Sequence, residues 1–309
     1  MQPTPPHPRA PWLTLALTLA LVALQGGCGS DSYELDLPRG FPEPRVPADN
    51  PLSEAKIELG RFLFYDVRLS ANQTQSCGSC HRQELAFTDG LPHAVGSTGE
   101  HTARGSMALG NAGYAATLNW ANQAVVTLEM QARIPLFGVE PVELGLGGME
   151  QVLEQRLRAD PSYPAMFAAA FPSEEDPITV QNVLRALASF ERALLTGDSP
   201  YDRYQAGDTT ALSDSARRGM ELFFSEKVEC FHCHGGFNLS GSVDHEGNFF
   251  DQSLFANNGL YNVDGAGGYP AGNTGLFAMT NDRLDMGRFK PPSLRNIALT
   301  APYMHDGSL

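Results

Sequence analysis

Two short units constrain this chain more than any other feature: "CGSCH" at residues 77–81 and "CFHCH" at residues 230–234, whose first cysteines lie 153 positions apart. Each brings two thiols and an imidazole within about one turn of backbone. Covalent haem attachment uses all three groups, because the thiols add to the two vinyl groups and the adjacent imidazole reaches the iron. Two Cys-x-x-Cys pairs can also hold zinc, but zinc does not require a histidine directly after each pair. A thioredoxin-like redox pair needs a βαβ setting, and no alternating strand series surrounds either unit. A plain disulfide within each pair is open to an exported chain. Two complete units in one chain favour two c-type haems over these alternatives, with Cys77, Cys80 and His81 at the first and Cys230, Cys233 and His234 at the second.

The chain has five cysteines, and the fifth, Cys28, follows an export-type N-terminus. Arg9 precedes the apolar run Pro11–Leu24, and "QGGC" comes next. Gly26 and Gly27 ahead of Cys28 suggest lipoprotein processing with lipidation of Cys28, although Gln25 stands where the usual motif has leucine; ordinary cleavage nearby is the alternative. Residues 1–27 are assigned to a signal peptide. Residues 28–50, rich in proline and small polar residues, are assigned to an extended tether. The expected location is outside the cytoplasm, on the periplasmic side, with membrane contact only through the lipid anchor. A net charge of −14 argues against a nucleic-acid partner, which would need clustered Lys and Arg. After residue 30 no stretch is apolar enough, for long enough, to span a bilayer.

The length of 309 residues and a 42 % hydrophobic share suffice for two domains. "LSEAKIELGRFLFY" predicts a helix with Ser53 as N-cap and Leu52, Ala55, Leu59, Phe62 and Leu63 on one face. Further helices are expected around "GMEQVLEQRLRAD", "YPAMFAAAF" and "TVQNVLRALASFERALLT". The last carries an apolar stripe of Val180, Val183, Leu184, Leu187, Phe190 and Leu194. Gly60–Phe64 and Gly219–Phe223 share Gly-x-x-Leu-Phe, each on a helix leading into a Cys-x-x-Cys-His unit. This internal repeat predicts two domains of one type, residues 51–205 and 206–309. Residues 82–118 and 235–288 carry few periodic signals and read as long loops, the first wrapping a bound group. The fold class is all-α, two cytochrome c-like haem domains with long loops.

"FTDGLPHAVGSTG", "NWANQ", "LEMQA", "FGVEPVELG" and "MGRFKPPSLRNIALTAPYMHDGSL" resemble the successive motifs of the bacterial di-haem cytochrome c peroxidase and MauG family, from about residue 50 to the end. "RGSM", "ECFHCHGGFN" and "NTGLF" are most similar to its MbnH-like branch. The resemblance implies an enzyme that uses hydrogen peroxide to reach a high-valent di-haem state and then oxidises a partner protein, at a tryptophan side chain in that branch. The alternatives are a peroxidase drawing electrons from a small cytochrome or cupredoxin, and a di-haem electron carrier.

By the same resemblance Glu143 is the acid–base group above the first haem and Gln131 a second side chain there. Read as isolated residues, they would be a solvated loop carboxylate and a surface helix residue. Trp120 matches the tryptophan between the haems, where an indole relays electrons; as a bare residue it would be core. Ser97 stands where reductively activated members have a distal histidine, with His93 and His101 at other offsets, which implies an open, five-coordinate first haem. Thr300 and Pro302 match residues whose carbonyls help hold a calcium ion, although Gly105 follows Arg104 where the family has an "RN" pair. The sixth ligand of the second haem would fall beyond Leu309, so the second domain reads as truncated. Met279, Met286 and Met304 are not assigned that role, and His305 is assigned to haem packing.

Overall fold

The computed structural model describes Met1 and residues 33–248 and 253–309. The signal peptide and the lipidation at Cys28 lie outside the described residues. Among them there are nine α-helices, several single 3-10 turns and no strand, only isolated bridges. No helix of the described residues is long and apolar enough to cross a membrane.

The first five longer elements build one core. Helix α1 (Glu54–Phe64) starts where Ser53 accepts from the Lys56 amide, and it buries Leu59, Leu63 and Phe64. Phe62, expected on that face, is exposed and lies under the Arg61 guanidinium at 4.7 Å. It follows Arg61 around the helix, away from the row formed by Leu59 and Leu63. Helix α2 (Cys77–Cys80) is a single turn in which the Ser76 amide donates to the Ser79 hydroxyl and the Ser79 amide to the Ser76 carbonyl, each at 3.0 Å. Helix α3 (Leu128–Phe137), foreshadowed in the sequence only by Gln131 as a helix residue, has Pro135 inside it. Helices α4 (Glu150–Ala159), α5 (Tyr163–Ala170) and α6 (Val180–Arg192) follow. α6 buries Val183, Leu184, Leu187 and Phe190 of its expected stripe, while Val180 and Leu194 are only partly covered.

Two devices hold this core in shape. Gly60 lets α1 cross α6 closely: a Cβ there would lie 1.9 Å from the Ala186 carbonyl oxygen. Arg192, near the end of α6, donates two hydrogen bonds of 2.8 Å to Glu129 on α3. Nearby, Arg156 of α4 donates to the carbonyls of Arg68, Ser70 and Ala71 at 2.8–3.1 Å. That fixes the loop delivering the chain to Cys77.

The second half is built differently. Helix α7 (Pro200–Gln205) is capped by Ser199, and its Asp202 receives both Arg295 guanidinium nitrogens at 2.9 Å. Helix α8 (Asp214–Phe223) carries the second Gly-x-x-Leu-Phe yet buries none of its residues. Around Gly219 there is open space where Gly60 has a helix. The repeat is therefore present as sequence and as helix, not as packing. Helix α9 (Phe277–Thr280) is again a single turn. Residues 33–50 are irregular but not loose. Phe41 meets Phe237 edge-on at 5.0 Å, and the Tyr114 hydroxyl donates to the Pro42 carbonyl at 2.7 Å.

Candidate haem sites

The first Cys-x-x-Cys-His unit opens on a cavity of about 410 Å³, within the size range of cofactor pockets. Cys77, Cys80 and His81 line it, with a long segment of the 94–115 loop around the remainder. Nδ1–H of His81 donates to the Phe87 carbonyl at 2.8 Å. The tight turn that supplies this carbonyl holds Ala86 and Phe87 in the left-handed region, φ 52° and 64°. Engaging Nδ1 fixes the ring and leaves Nε2 as the atom for iron, the usual arrangement behind a metal-bound imidazole. Burial pushes the His81 pKa down, so the ring is neutral, as a ligand must be.

Both thiols of this unit are free. Burial pushes Cys80 up to about 11 and Cys77 higher still. They stay protonated at neutral pH with nothing bound, and both border the cavity beside the His81 ring. The donor set therefore fits a covalently held haem.

Glu143 and Gln131 both line this cavity. Burial raises the Glu143 pKa. Oε1 of Gln131 is buried with no hydrogen-bond partner. The two arrive from different elements, Gln131 from α3 and Glu143 from the turn after the Glu140–Pro141 bond. Residues 96 and 97 clasp that turn: Ser97 N–H donates to the Glu143 carbonyl at 2.7 Å, and a Cβ on Gly96 would lie 1.9 Å from the Val142 carbonyl oxygen. His93 and His101 line neither cavity.

The second unit borders a cavity of about 440 Å³, lined by Cys233 and His234 but not by Cys230. Its histidine is pinned like the first: Nδ1 of His234 lies 3.1 Å from the Pro292 carbonyl and 3.4 Å from that of Leu239. Burial lowers its pKa too. Thr300, Pro302, Met304 and His305 line this cavity. The His305 ring stacks on Phe289 at 3.7 Å, and its Nε2 is buried without a hydrogen bond.

Trp120 lines both cavities. Its Nε1–H donates to the Gly105 carbonyl at 2.8 Å, which fixes the indole plane against the 105–108 segment shared by both walls.

Two functional-looking residues escape the sequence reading. Lys290 also lines both cavities and is buried, its ammonium donating to the Thr117 carbonyl at 2.8 Å. Burial lowers its pKa to about 8. Glu191 lines the first cavity from α6, and burial raises its pKa to about 8 despite the neighbouring Arg192, which is already paired with Glu129. Glu191 had one signal, a carboxylate next to the apolar stripe of a core helix. Lys290 had none.

The model of the family described as di-haem cytochrome c peroxidase (CCP_MauG) matches residues 54–210. The methylamine utilization protein MauG of Methylorubrum extorquens is 36 % identical over 272 residues, covering 88 % of this chain and 69 % of that protein. The cytochrome c551 peroxidase of Pseudomonas aeruginosa is 34 % identical over 259 residues, 84 % of this chain and 70 % of that one. The crystal structure of a MauG-like protein associated with microbial copper homeostasis superposes with a TM-score of 0.87 at 50 % identity, covering 89 % of this chain and 79 % of that one. The diheme peroxidase BthA from Burkholderia thailandensis shares the fold, with a TM-score of 0.64 at 21 % identity over 88 % of this chain and 74 % of its own.

Proposed function

The chain belongs to the di-haem cytochrome c peroxidase and MauG family, and from that premise we propose that it reacts with hydrogen peroxide at the first cavity and passes the oxidising equivalents to a protein partner. It is an oxidoreductase, and its family carries two c-type haems. Residues 51–205 and 206–309 are the two halves assigned to them, with Cys77, Cys80 and His81 for one and Cys230, Cys233 and His234 for the other. Lipidation at Cys28 and a place on the periplasmic side complete the proposal.

When bound, the first haem supplies the iron that accepts peroxide and takes up its oxidising power. The protein side chains do the remainder. Glu143, its pKa raised by burial, moves a proton between the two peroxide oxygens and so assists cleavage of their bond. Gln131 offers its unpartnered Oε1 to orient peroxide. Trp120, in contact with both cavities, carries electrons between them. Calcium has no step here; Thr300 and Pro302 are the residues whose carbonyls would hold it.

One observation carries this reading: Glu143 and Gln131 face the same cavity as His81, while neither nearby histidine reaches it. That favours an open first haem and oxidation of a protein partner over a peroxidase that must first be half-reduced. The deciding experiment mixes the fully oxidised, haem-loaded protein with peroxide and follows haem absorption. A rapid spectral change without added reductant is the expected result. Reaction only after half-reduction would favour the cytochrome-fed peroxidase, and no reaction in either state would leave an electron carrier.

A further inference from the structure

An aromatic cluster lies against Trp120 and beside the second cavity, which Phe289 and His305 line. Tyr269 and Phe289 are buried with Ala121, and Trp120, Leu260, Tyr261 and Met286 pack on them. The rings are close: Tyr269 to Phe289 is 6.1 Å between centroids, and Tyr269 to Tyr261 is 5.5 Å at an interplanar angle of 76°. These are ordinary aromatic contact distances. Tyr261 and Tyr269 line neither cavity. Tyr269 is 5 % exposed, whereas Tyr261 is half-buried and is followed by a fully exposed stretch that includes Val263.

The two hydroxyls have different partners. Tyr269 donates to Asn257 Oδ1 at 2.8 Å and accepts from the Leu260 amide. Asn257 cannot take a proton, so the Tyr269 hydroxyl is a fixed structural contact. Tyr261 donates to Asp306 Oδ2 at 2.6 Å, a short charge-assisted hydrogen bond. A phenol gives up an electron far more readily when its proton has somewhere to go, and here the acceptor is already in place.

We propose that Tyr269 and Tyr261 carry oxidising equivalents from Trp120 to the surface, with Asp306 as proton acceptor at Tyr261, so that a protein partner with an oxidisable aromatic side chain reacts there without entering a cavity. This rests on the peroxide-driven reading above. Peroxide, a two-electron oxidant, takes up two electrons and two protons to become two waters. In each one-electron step the Tyr261 O–H bond breaks and its proton moves to Asp306. The electron travels inward through Tyr269 and Trp120 toward the haem sites, leaving a neutral tyrosyl radical. An electron from the partner and return of the proton from Asp306 restore the phenol, and the partner releases its own proton to solvent. Two such cycles use one peroxide.

The test uses haem-loaded protein labelled with ring-deuterated tyrosine, mixed with peroxide and frozen within the turnover time. Haem absorption and electron paramagnetic resonance spectra are recorded on the same samples of wild type, Tyr261→Phe and Asp306→Asn. Haem absorption responds in all three. Wild type gives a tyrosyl signal that narrows on deuteration, Tyr261→Phe loses most of it, and Asp306→Asn, which keeps an acceptor oxygen but cannot take the proton, lowers its yield several-fold. An undiminished signal in Tyr261→Phe, or no tyrosyl signal while the haems respond, overturns the relay. If wild-type haem absorption ignores peroxide, the peroxide reading is what falls. The relay is then decided by flash photo-oxidation with a ruthenium(III) complex, with the radical spin-trapped and located by peptide mass mapping. Trapping at Tyr261 that depends on Asp306 sustains the relay, and trapping elsewhere overturns it.

Discussion

Lys290 and Trp120 are joined backbone to backbone, the Lys290 amide donating to the Trp120 carbonyl at 2.8 Å, and both side chains face both cavities. A cation and an indole thus share the wall of both cavities. The ammonium has only the Thr117 carbonyl as a hydrogen-bond partner among the described residues.

Burial, the sole cause, lowers the Lys290 pKa from 10.5 to about 8. Between these values the unfolded chain binds more protons than the folded one, so stability rises with pH across that window. Below about pH 8 the full cost of burying the charge is present, on the order of a few kcal/mol. Lys290→Met should flatten this rise. Denaturant unfolding of the haem-loaded protein from pH 7 to 10.5 measures it, and an equally steep rise in the variant would contradict the assignment.

Gly60→Ala should destabilise the first half by about 1–3 kcal/mol, because the new methyl overlaps the Ala186 carbonyl and forces α1 away from α6. Gly219→Ala, with open space around it, should cost no more than a few tenths of a kcal/mol or even stabilise α8. Thermal unfolding of the two variants side by side separates them.

Glu143→Gln keeps the shape of the first cavity and removes its movable proton. The rate of the haem spectral change with peroxide should fall by about 10²–10⁴-fold while haem content stays the same. The burial that raises the Glu143 pKa also moves the acid limb of the wild-type pH–rate profile upward from that of a free carboxyl, and the variant should lack that limb. Stopped-flow absorption across pH checks both, and an unchanged rate would favour an electron carrier.

Trp120→Phe should leave the first site reactive and isolate the second. Peroxide still alters the first haem's absorption, but the second haem's response should slow by at least an order of magnitude. The variant also leaves the Gly105 carbonyl without its indole donor, worth about 1–3 kcal/mol of stability if no water replaces it. Stopped-flow spectra resolved into the two haem components read the first effect, and unfolding reads the second.

How far local sequence reaches is visible in particular residues. Ser53 as a cap, the stripe on α6 and the two Cys-x-x-Cys-His units depend on neighbours within a few positions, and each could be read along the chain. Phe62 and the second Gly-x-x-Leu-Phe could not: helical position alone does not say whether another helix lies opposite, and Gly60 has α6 there while Gly219 has nothing. Glu143 and Gln131 looked like solvent-facing residues until a family resemblance singled them out, because their shared cavity is closed by the 94–115 loop, which has no periodicity to read. The same limit hid the buried charge of Lys290 and the Tyr261–Asp306 pair, which join residues 173 and 45 positions apart. Sequence alone marked the two Cys-x-x-Cys-His units and where several of the helices begin, since those are contests between a residue and its immediate backbone. Tertiary structure decided which side chains are cut off from water and which face one another, because burial and proton acceptors come from segments far apart in the chain.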